Sequence, residues 1–403
     1  MSASSTKRSL QSSLAAAHNK VGQAVRINER DLRVALVHDW LTVPGGSEDA
    51  FREICDMFPG EVFTSQWDQE RVTFIRNLPV HTSYVQRMPM ALSKHYLYAP
   101  VLPDVYRRFN LSTFDVVLSD SHSFAHAVRK SPEALHVCYY HTPARSLWVP
   151  EIDSRATSGK LAVVKRWMAR RLKELDLEAS KNPDVIFANS HTTATRIRKF
   201  YGREVDAVIY PPVDTRKWTD VQRESNDLGI LMWGRLIDYK RVDLAIEAVK
   251  RTGHKLQIVG GGPLERALKD QAAGCPNITF HGRLPDKDLK QMMSRCRAVL
   301  FPGYEDFGIV PVEAMAAGLP VIAYCAGGAA ETVLPAYGVQ FREQTVESLI
   351  DALMEMDLRS FEPEALQTHA SQFDREGFRL KYREAVEHAV ERHYNDRPKA
   401  LLL

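Results

Sequence analysis

Two α/β domains, each built on a largely parallel sheet, are the fold class predicted by three observations. At 403 residues the chain is too long for one ordinary core and fits two domains of about 170 to 190 residues. Short apolar runs of strand type recur throughout, and each leads through a turn into a stretch of helical period. Units that alternate in this way make parallel sheets covered by helices. The run Pro211-Pro212-Val213-Asp214 separates two such series and reads as an inter-domain hinge.

Composition narrows the class. Hydrophobic content of 44% and charged content of 26% describe a globular chain in water. No apolar stretch reaches spanning length, and Leu14-Ala15-Ala16-Ala17 is too short for a signal core, so the expected location is the cytoplasm. The five cysteines lack a CxxC spacing and read as reduced, buried thiols, with neither a disulfide frame nor zinc. Charge is uneven: residues 1–205 hold 28 Lys+Arg against 21 Asp+Glu, and residues 206–403 hold 25 against 29. A helix through Leu161, Val164, Met168, Leu172 and Leu175 would bury that face and turn its basic remainder outward. That remainder is either a solvated face or a contact for anionic lipid, at the inner face of the membrane, or for a diphosphate-bearing acceptor. Nucleic acid is excluded as a partner because no aromatic-rich basic module accompanies the charge.

The elements follow in order. Residues 1–30 read as a flexible arm, and the fold begins with a strand over 33–38. After the turn at Gly45-Gly46, a helix runs from about Ser47 to the Pro59-Gly60 break. Strand, paired glycines and helix make the shape of a phosphate loop, since glycine lets backbone amides approach an anion; a tight turn explains the pair equally well. Further strands are expected at 61–65, 115–118, 135–140 and 184–189. Residues 84–109, rich in Met, Tyr, Leu and Pro, are either an irregular helical insertion or a surface for a lipid or sugar. The strand at 135–140 delivers His141-Thr142-Pro143-Ala144-Arg145-Ser146-Leu147-Trp148, with His141 at the carboxyl edge where α/β sheets bind ligands. A helix over 193–201 and a strand over 206–210 close the first series.

The second series opens with a strand ending at Gly234, and Arg235 and Lys240 bracket the turn before a helix over 242–250. These are ordinary surface cations or a pair that neutralises a diphosphate, with Arg gripping two oxygens and Lys acting as a compact charge. A strand over 255–259 meets Gly260-Gly261-Gly262-Pro263, again a glycine turn before a helix. Asp286-Lys287-Asp288 is assigned to helix capping, because a helix with Leu289, Met292 and Met293 follows. The apolar strand 298–301 ends at Pro302-Gly303, and Glu305-Asp306-Phe307-Gly308-Ile309 leads into an Ala-rich helix that carries Glu313. Amides of Phe307, Gly308 and Ile309 would point at a ligand there, and the helix dipole would favour phosphate. Glu305 and Glu313, one at the mouth and one inside the helix, suit two distant hydroxyls of an elongated ligand. A last long helix is expected over 376–393.

The pattern Glu-x7-Glu, with Phe-Gly-Ile after the first acid and Glu-Ala-Met-Ala-Ala-Gly at the second, resembles the retaining glycosyltransferases of family 4. Those have the GT-B fold, two Rossmann-like domains with parallel sheets facing a central cleft. The resemblance implies an N-terminal acceptor-binding domain over 31–205, a nucleotide-sugar-binding domain over 206–375, and a helix over 376–403 crossing back to the first. It also implies hinge closure around the donor. Arg235 and Lys240 would stabilise the departing diphosphate with the amides of Gly308 and Ile309. Glu305 would bind the transferred sugar, Glu313 the ribose, and His141 the sugar's far edge, with Gly45, Gly46 and Gly261 beside the donor. Cations would stand in for a metal, so no metal or cofactor is expected beyond the nucleotide-sugar donor as co-substrate. His-Thr-Pro followed by Arg and Leu-Trp is most similar to bacterial mannosyltransferases of surface-polysaccharide synthesis, which favours GDP-mannose as donor and a saccharide or lipid-linked acceptor. A sugar-nucleotide epimerase of the same fold and a non-catalytic nucleotide-sugar-binding scaffold are the rival expectations.

Overall fold

The structure is a computed structural model and describes residues 24–149 and 162–395. Most of the expected N-terminal arm, residues 1–23, lies outside the described residues. The remainder of that span is not an arm: strands β1 (Val25–Ile27) and β2 (Arg30–Leu32) pair antiparallel, with Asn28 at φ 53° in the turn. By packing, the chain divides into two units. The first takes the chain up to Asn189, Thr193–Ile209 and everything from Arg379; the second takes Ser190–Thr192 and Tyr210–Phe378.

The first unit carries a seven-stranded sheet made of β3 (Val34–His38), β4 (Glu61–Thr64), β5 (Val80–Thr82), β6 (Val116–Ser121), β7 (Leu135–Tyr140), β8 (Val185–Ala188) and β9 (Ala207–Val208). Its spatial order is β5-β4-β3-β6-β7-β8-β9, with every pair parallel. Helix α1 (Gly46–Met57) follows β3, and α2 (Leu102–Arg107), α3 (Arg145–Trp148), α4 (Ala162–Ala179) and α5 (His191–Tyr201) follow in the chain. Strand β6 runs three residues beyond the expected 115–118. The polar run Ser119-Asp120-Ser121 hides it in the sequence, yet all three are buried, each with a histidine partner.

The second unit repeats the plan. Strands β10 (Gly229–Trp233), β11 (Leu256–Val259), β12 (Ile278–Gly282), β13 (Cys296–Phe301), β14 (Val321–Tyr324) and β15 (Gly338–Phe341) pair in parallel in the order β12-β11-β10-β13-β14-β15. Helices α6 (Val242–Thr252), α7 (Glu265–Gln271), α8 (Asp286–Arg295), α9 (Ile309–Ala316), α10 (Ala329–Thr332), α11 (Val346–Leu358) and α12 (Pro363–Ala370) lie between or after them. Side chains alternate across the sheet: Leu231, Val299 and Val321 join one core, Ile230, Ala298, Leu300 and Ile322 the other. A sheet buried on both faces needs continuous apolar strands, which is why this half reads so clearly in the sequence.

In both sheets the chain starts in the middle, runs to one edge, then returns to build the other side. This is the Rossmann strand order, and it creates a switch point between β3 and β6 and another between β10 and β13. Helix α13 (Arg375–Asn395) ends the described chain. From Arg379 it packs within the first unit: Arg379 pairs with Glu53 and Asp56 of α1, and buried Tyr382 lies against Tyr139 and Phe187.

Two local expectations are corrected. The buried stripe of α4 is Ala169, Leu172, Asp176 and Ala179; of the expected face, Leu172 is buried, Met168 and Leu175 are half-buried, Val164 is exposed and Leu161 lies outside the described residues. The helix is rotated from the apolar prediction because the Asp176 carboxylate is drawn inside by Trp148, Tyr201 and His126. Asp286 is not a cap: Pro285 takes that place without a side-chain bond, and Asp286 pairs with Lys217 at 2.8 Å. Residues 84–109 form short helical turns that bury Val85, Leu102, Val105 and Tyr106 and leave Tyr84, Met88, Met90, Tyr96 and Leu97 exposed.

Candidate active site

The switch point of the second sheet gathers Arg235, Lys240 and Glu305. Strand β10 ends at Trp233, and Gly234 and Arg235 follow directly; Tyr239 and Lys240 belong to the short turn before α6. Beyond β13, Pro302-Gly303 lies against that turn, with Tyr304 N donating to Tyr239 O at 3.2 Å. The loops' approach carries Lys240 Nζ onto the Glu305 carboxylate as an ion pair, both side chains mostly buried, with the ammonium also 5.3 Å over the Phe301 ring. A cavity of about 20 Å³ is lined by Trp233, Gly234, Arg235, Lys240, Phe301 and Pro302. Arg235 itself is exposed, free to reach an anion at the strand edge.

Two glycine turns hold these loops. A Cβ at Gly260 would lie 1.9 Å from Gly234 O, and one at Gly262 would lie 2.3 Å from Leu236 O, so the loop after β11 packs backbone to backbone on the loop bearing Arg235. Gly261, the position expected beside the donor, is the uncrowded one of the three; its nearest neighbour would be Glu265 Oε2 at 3.3 Å. On the other side, a Cβ at Gly328 would lie 2.1 Å from Phe307 Cα, and Gly328 N donates to Glu305 O at 2.9 Å. The turn before α10 therefore supports the segment 305–307 from behind.

Gly308 caps α9 at φ 83°, Ile309 begins the helix and Phe307 is buried in the core. Glu313 lies one turn inside α9 beside Trp218, Trp233 and Lys217. Burial pushes its carboxyl up, with Lys217 and the two indoles working in the opposite direction.

In the first unit, His141 follows β7, and its N–H extends the sheet by donating to Ser121 O at 2.9 Å. Thr193 Oγ1 holds His141 O at 2.9 Å, and Arg196 reaches Thr142 Oγ1 at 3.2 Å. The Leu-Trp end of this motif is structural: Trp148 Nε1 donates to buried Asp176 at 2.6 Å, alongside the Tyr201 hydroxyl at 2.7 Å. Gly45 is the cap of α1 and Gly46 its first residue, so the paired glycines stand at a helix start.

Both halves of the chain match known families. Residues 45–217 match the model described as Glycosyltransferase Family 4, and residues 214–368 that of Glycosyl transferases group 1. The chain belongs to glycosyltransferase family 4. Among the relatives is a GDP-mannose-dependent monoacylated alpha-(1-6)-phosphatidylinositol monomannoside mannosyltransferase of Corynebacterium glutamicum. The two are 30% identical over 200 residues, 43% of this chain and 52% of that protein. The O-antigen chain mannosyltransferase C of Escherichia coli is 32% identical over 114 residues, 27% of this chain and 31% of that one. The chain thus spans about half the length of the first relative and a third of the second. Anabaena HepE, solved in complex with UDP-glucose, superposes with a TM-score of 0.63 at 19% identity, covering 88% of this chain and 99% of that one. Sucrose-phosphate synthase from Thermosynechococcus elongatus gives a TM-score of 0.66 at 15% identity, covering 89% and 99%. These solved structures share the GT-B fold with it.

Sequence reasoning missed the residues behind His141. Its Nε2 lies 2.5 Å from Asp120 Oδ1, at the end of neighbouring β6. The same oxygen is 3.6 Å from His38 Nδ1, and His38 Nε2 is 3.8 Å from Glu48 Oε1. All but His141 are fully or nearly fully enclosed. Burial disfavours the charged His38 ring, but Asp120 and Glu48 outweigh it and raise its pKa to about 10. Burial likewise works against the Asp120 carboxylate, and His141 and His38 prevail, bringing it to about 2. Next to His38, Asp39 accepts backbone N–H bonds from His122, Ser123, Phe124 and Ala125 at 2.6–2.8 Å, fixing the turn after β6. The one signal available was polar residues at the carboxyl ends of two apolar strands, His38-Asp39 and Asp120-Ser121-His122.

Proposed function

We propose that this chain is a retaining glycosyltransferase that moves mannose from GDP-mannose to a glycan or lipid-linked saccharide. The observation that carries the reading is the Lys240–Glu305 pair with Arg235 at the switch point of the second sheet. Cations there stabilise the charge that develops on a leaving diphosphate, a preorganised electrostatic role that needs no metal or cofactor. Glu305 binds hydroxyls of the transferred sugar, Glu313 the ribose, and His141 the sugar's other side. The amides of Phe307, Gly308 and Ile309 add donor contacts at the start of α9. Gly45, Gly46 and Gly261 leave room for the donor's phosphates. The mannosyltransferase relatives, one of them GDP-mannose-dependent, support mannose and GDP, whereas the HepE complex holds UDP-glucose.

The acceptor reading draws on α4. Val163 and Trp167 are 73% and 70% exposed, Val164 is exposed, and Arg166, Arg170 and Arg171 are exposed on the same helix. An apolar strip edged by arginines fits the surface of an anionic bilayer, where a lipid-linked acceptor would be met. Among the described residues no helix is long and apolar enough to cross a membrane.

Screening GDP-mannose, UDP-glucose and UDP-N-acetylglucosamine by thermal shift, then by donor turnover, tests the donor. GDP-mannose should stabilise the protein most, and a preference for a UDP-sugar overturns the mannose reading. Trp167→Ser should lower binding to phosphatidylglycerol vesicles without lowering the melting temperature; unchanged vesicle binding removes α4 from the account.

A further inference from the structure

We infer that Glu48, His38 and Asp120 are positioning residues that fix His141 in the tautomer with Nε2 protonated and Nδ1 bare, so that His141 accepts a hydrogen bond from a sugar hydroxyl. The inference rests on the transferase reading for the identity of that hydroxyl, and on geometry alone for the tautomer.

The geometry is directional. Each nitrogen of His38 faces a different carboxylate, Nδ1 toward Asp120 and Nε2 toward Glu48. A neutral imidazole has one N–H and one lone pair, so it would set that lone pair against a carboxylate; only the doubly protonated ring presents N–H to both. His38 is also sandwiched where water cannot reach it, stacked on Phe51 with ring centroids 4.7 Å apart. The titratable groups facing it are Glu48 from α1, Asp120 from β6 and His122 from the turn after β6, whose ring centroid is 5.6 Å away. Of these, burial holds His122 below the ordinary histidine range, so it adds no standing charge near neutral pH.

A permanent cation at His38 keeps Asp120 ionised. An ionised carboxylate only accepts, so the nitrogen 2.5 Å from it, His141 Nε2, must donate. With one proton on the His141 ring, that leaves Nδ1 as the acceptor. The Glu48 end of the chain is set by the turn at Gly45, where a Cβ would lie 2.9 Å from Glu48 Oε2, and by Ser47 Oγ, which donates to that oxygen at 2.9 Å. Gly45 thereby acquires a second purpose: it makes room for the carboxylate at the far end of the relay.

Long-range ¹H–¹⁵N spectra of the full chain labelled with ¹⁵N-histidine decide the matter. At pH 8, His38 should show two protonated nitrogens and His141 a protonated Nε2 with a bare Nδ1. A neutral His38, or His141 as the other tautomer or as imidazolium, overturns the inference. His38→Gln assigns the signals; should it fail to fold, Glu48→Gln shifts the same His38 resonance. In a GDP-mannose turnover assay, His38→Gln should lower kcat on the order of tenfold or more while leaving the donor KM in place. Full kcat in that variant also overturns it. If no nucleotide sugar is turned over by the wild type, the transferase reading fails, and the spectra still decide the relay.

Discussion

Lys240 and Glu305 occupy each other's charge at the edge of the second sheet, so removing either does more than delete a contact: it leaves a partly buried ion without its partner. Lys240→Ala and Glu305→Ala should each lower kcat on the order of 10² to 10³ in a donor-turnover assay, the scale of losing one preorganised electrostatic group. Activity within a few fold of wild type would dismiss the clamp. Histidines set a second expectation. His38, with its folded pKa raised to about 10, contributes stability below its unfolded value near 6.5 and loses it as pH rises toward 10. His136, buried and held down to about 3, contributes stability above about 6.5 and loses it as pH falls toward 3. The two trends oppose each other and place the stability maximum near pH 6.5. Urea midpoints measured from pH 4 to pH 9 check this; a midpoint rising steadily to pH 9 would contradict the charged His38.

At the scale of elements, the loops after β10, β11, β13 and β14 interlock through backbone contacts at glycine, so the site's precision comes from turns that no side chain can enter. Gly328→Val should push segment 305–307 forward, costing about 1–3 kcal/mol of stability and removing donor binding in calorimetry. Retained binding would mean the turn before α10 is not a support. The strands of this half were legible in the sequence because both faces of a parallel sheet demand apolar residues. The loop positions of the candidate residues were legible too: Arg235 and His141 close behind strand ends, Lys240 and Glu305 further along the loops that follow. What escaped was polar burial. Asp120 extends β6 by pairing with two histidines, and Asp176 rotates α4 by collecting Trp148, Tyr201 and His126. Periodicity counts apolar residues, and a buried carboxylate satisfied from another element is invisible to it. The β1–β2 hairpin escaped for a related reason: Arg26, Arg30 and Asp31 look like a solvated arm, and only Ile27 and Leu32 turn inward.

At the scale of the molecule, the same strand order appears twice, and each unit has its own core and its own switch point. A donor held by the second unit should therefore protect that unit. Hydrogen exchange with GDP-mannose at 100 times its Kd should gain protection worth about 2.7 kcal/mol, concentrated around residues 233–241, 260–263 and 303–313. Protection confined to β3, β6 and β7 would assign the donor to the other half. The path of α13 has a consequence of a different kind. Tyr382 and Arg379, which complete the packing of the first unit against α1, β7 and β8, are made by the ribosome only after the whole second unit has been made. Domains ordinarily fold from the N-terminus during synthesis. Here the first half must wait, open along one flank, while the second half finishes before it.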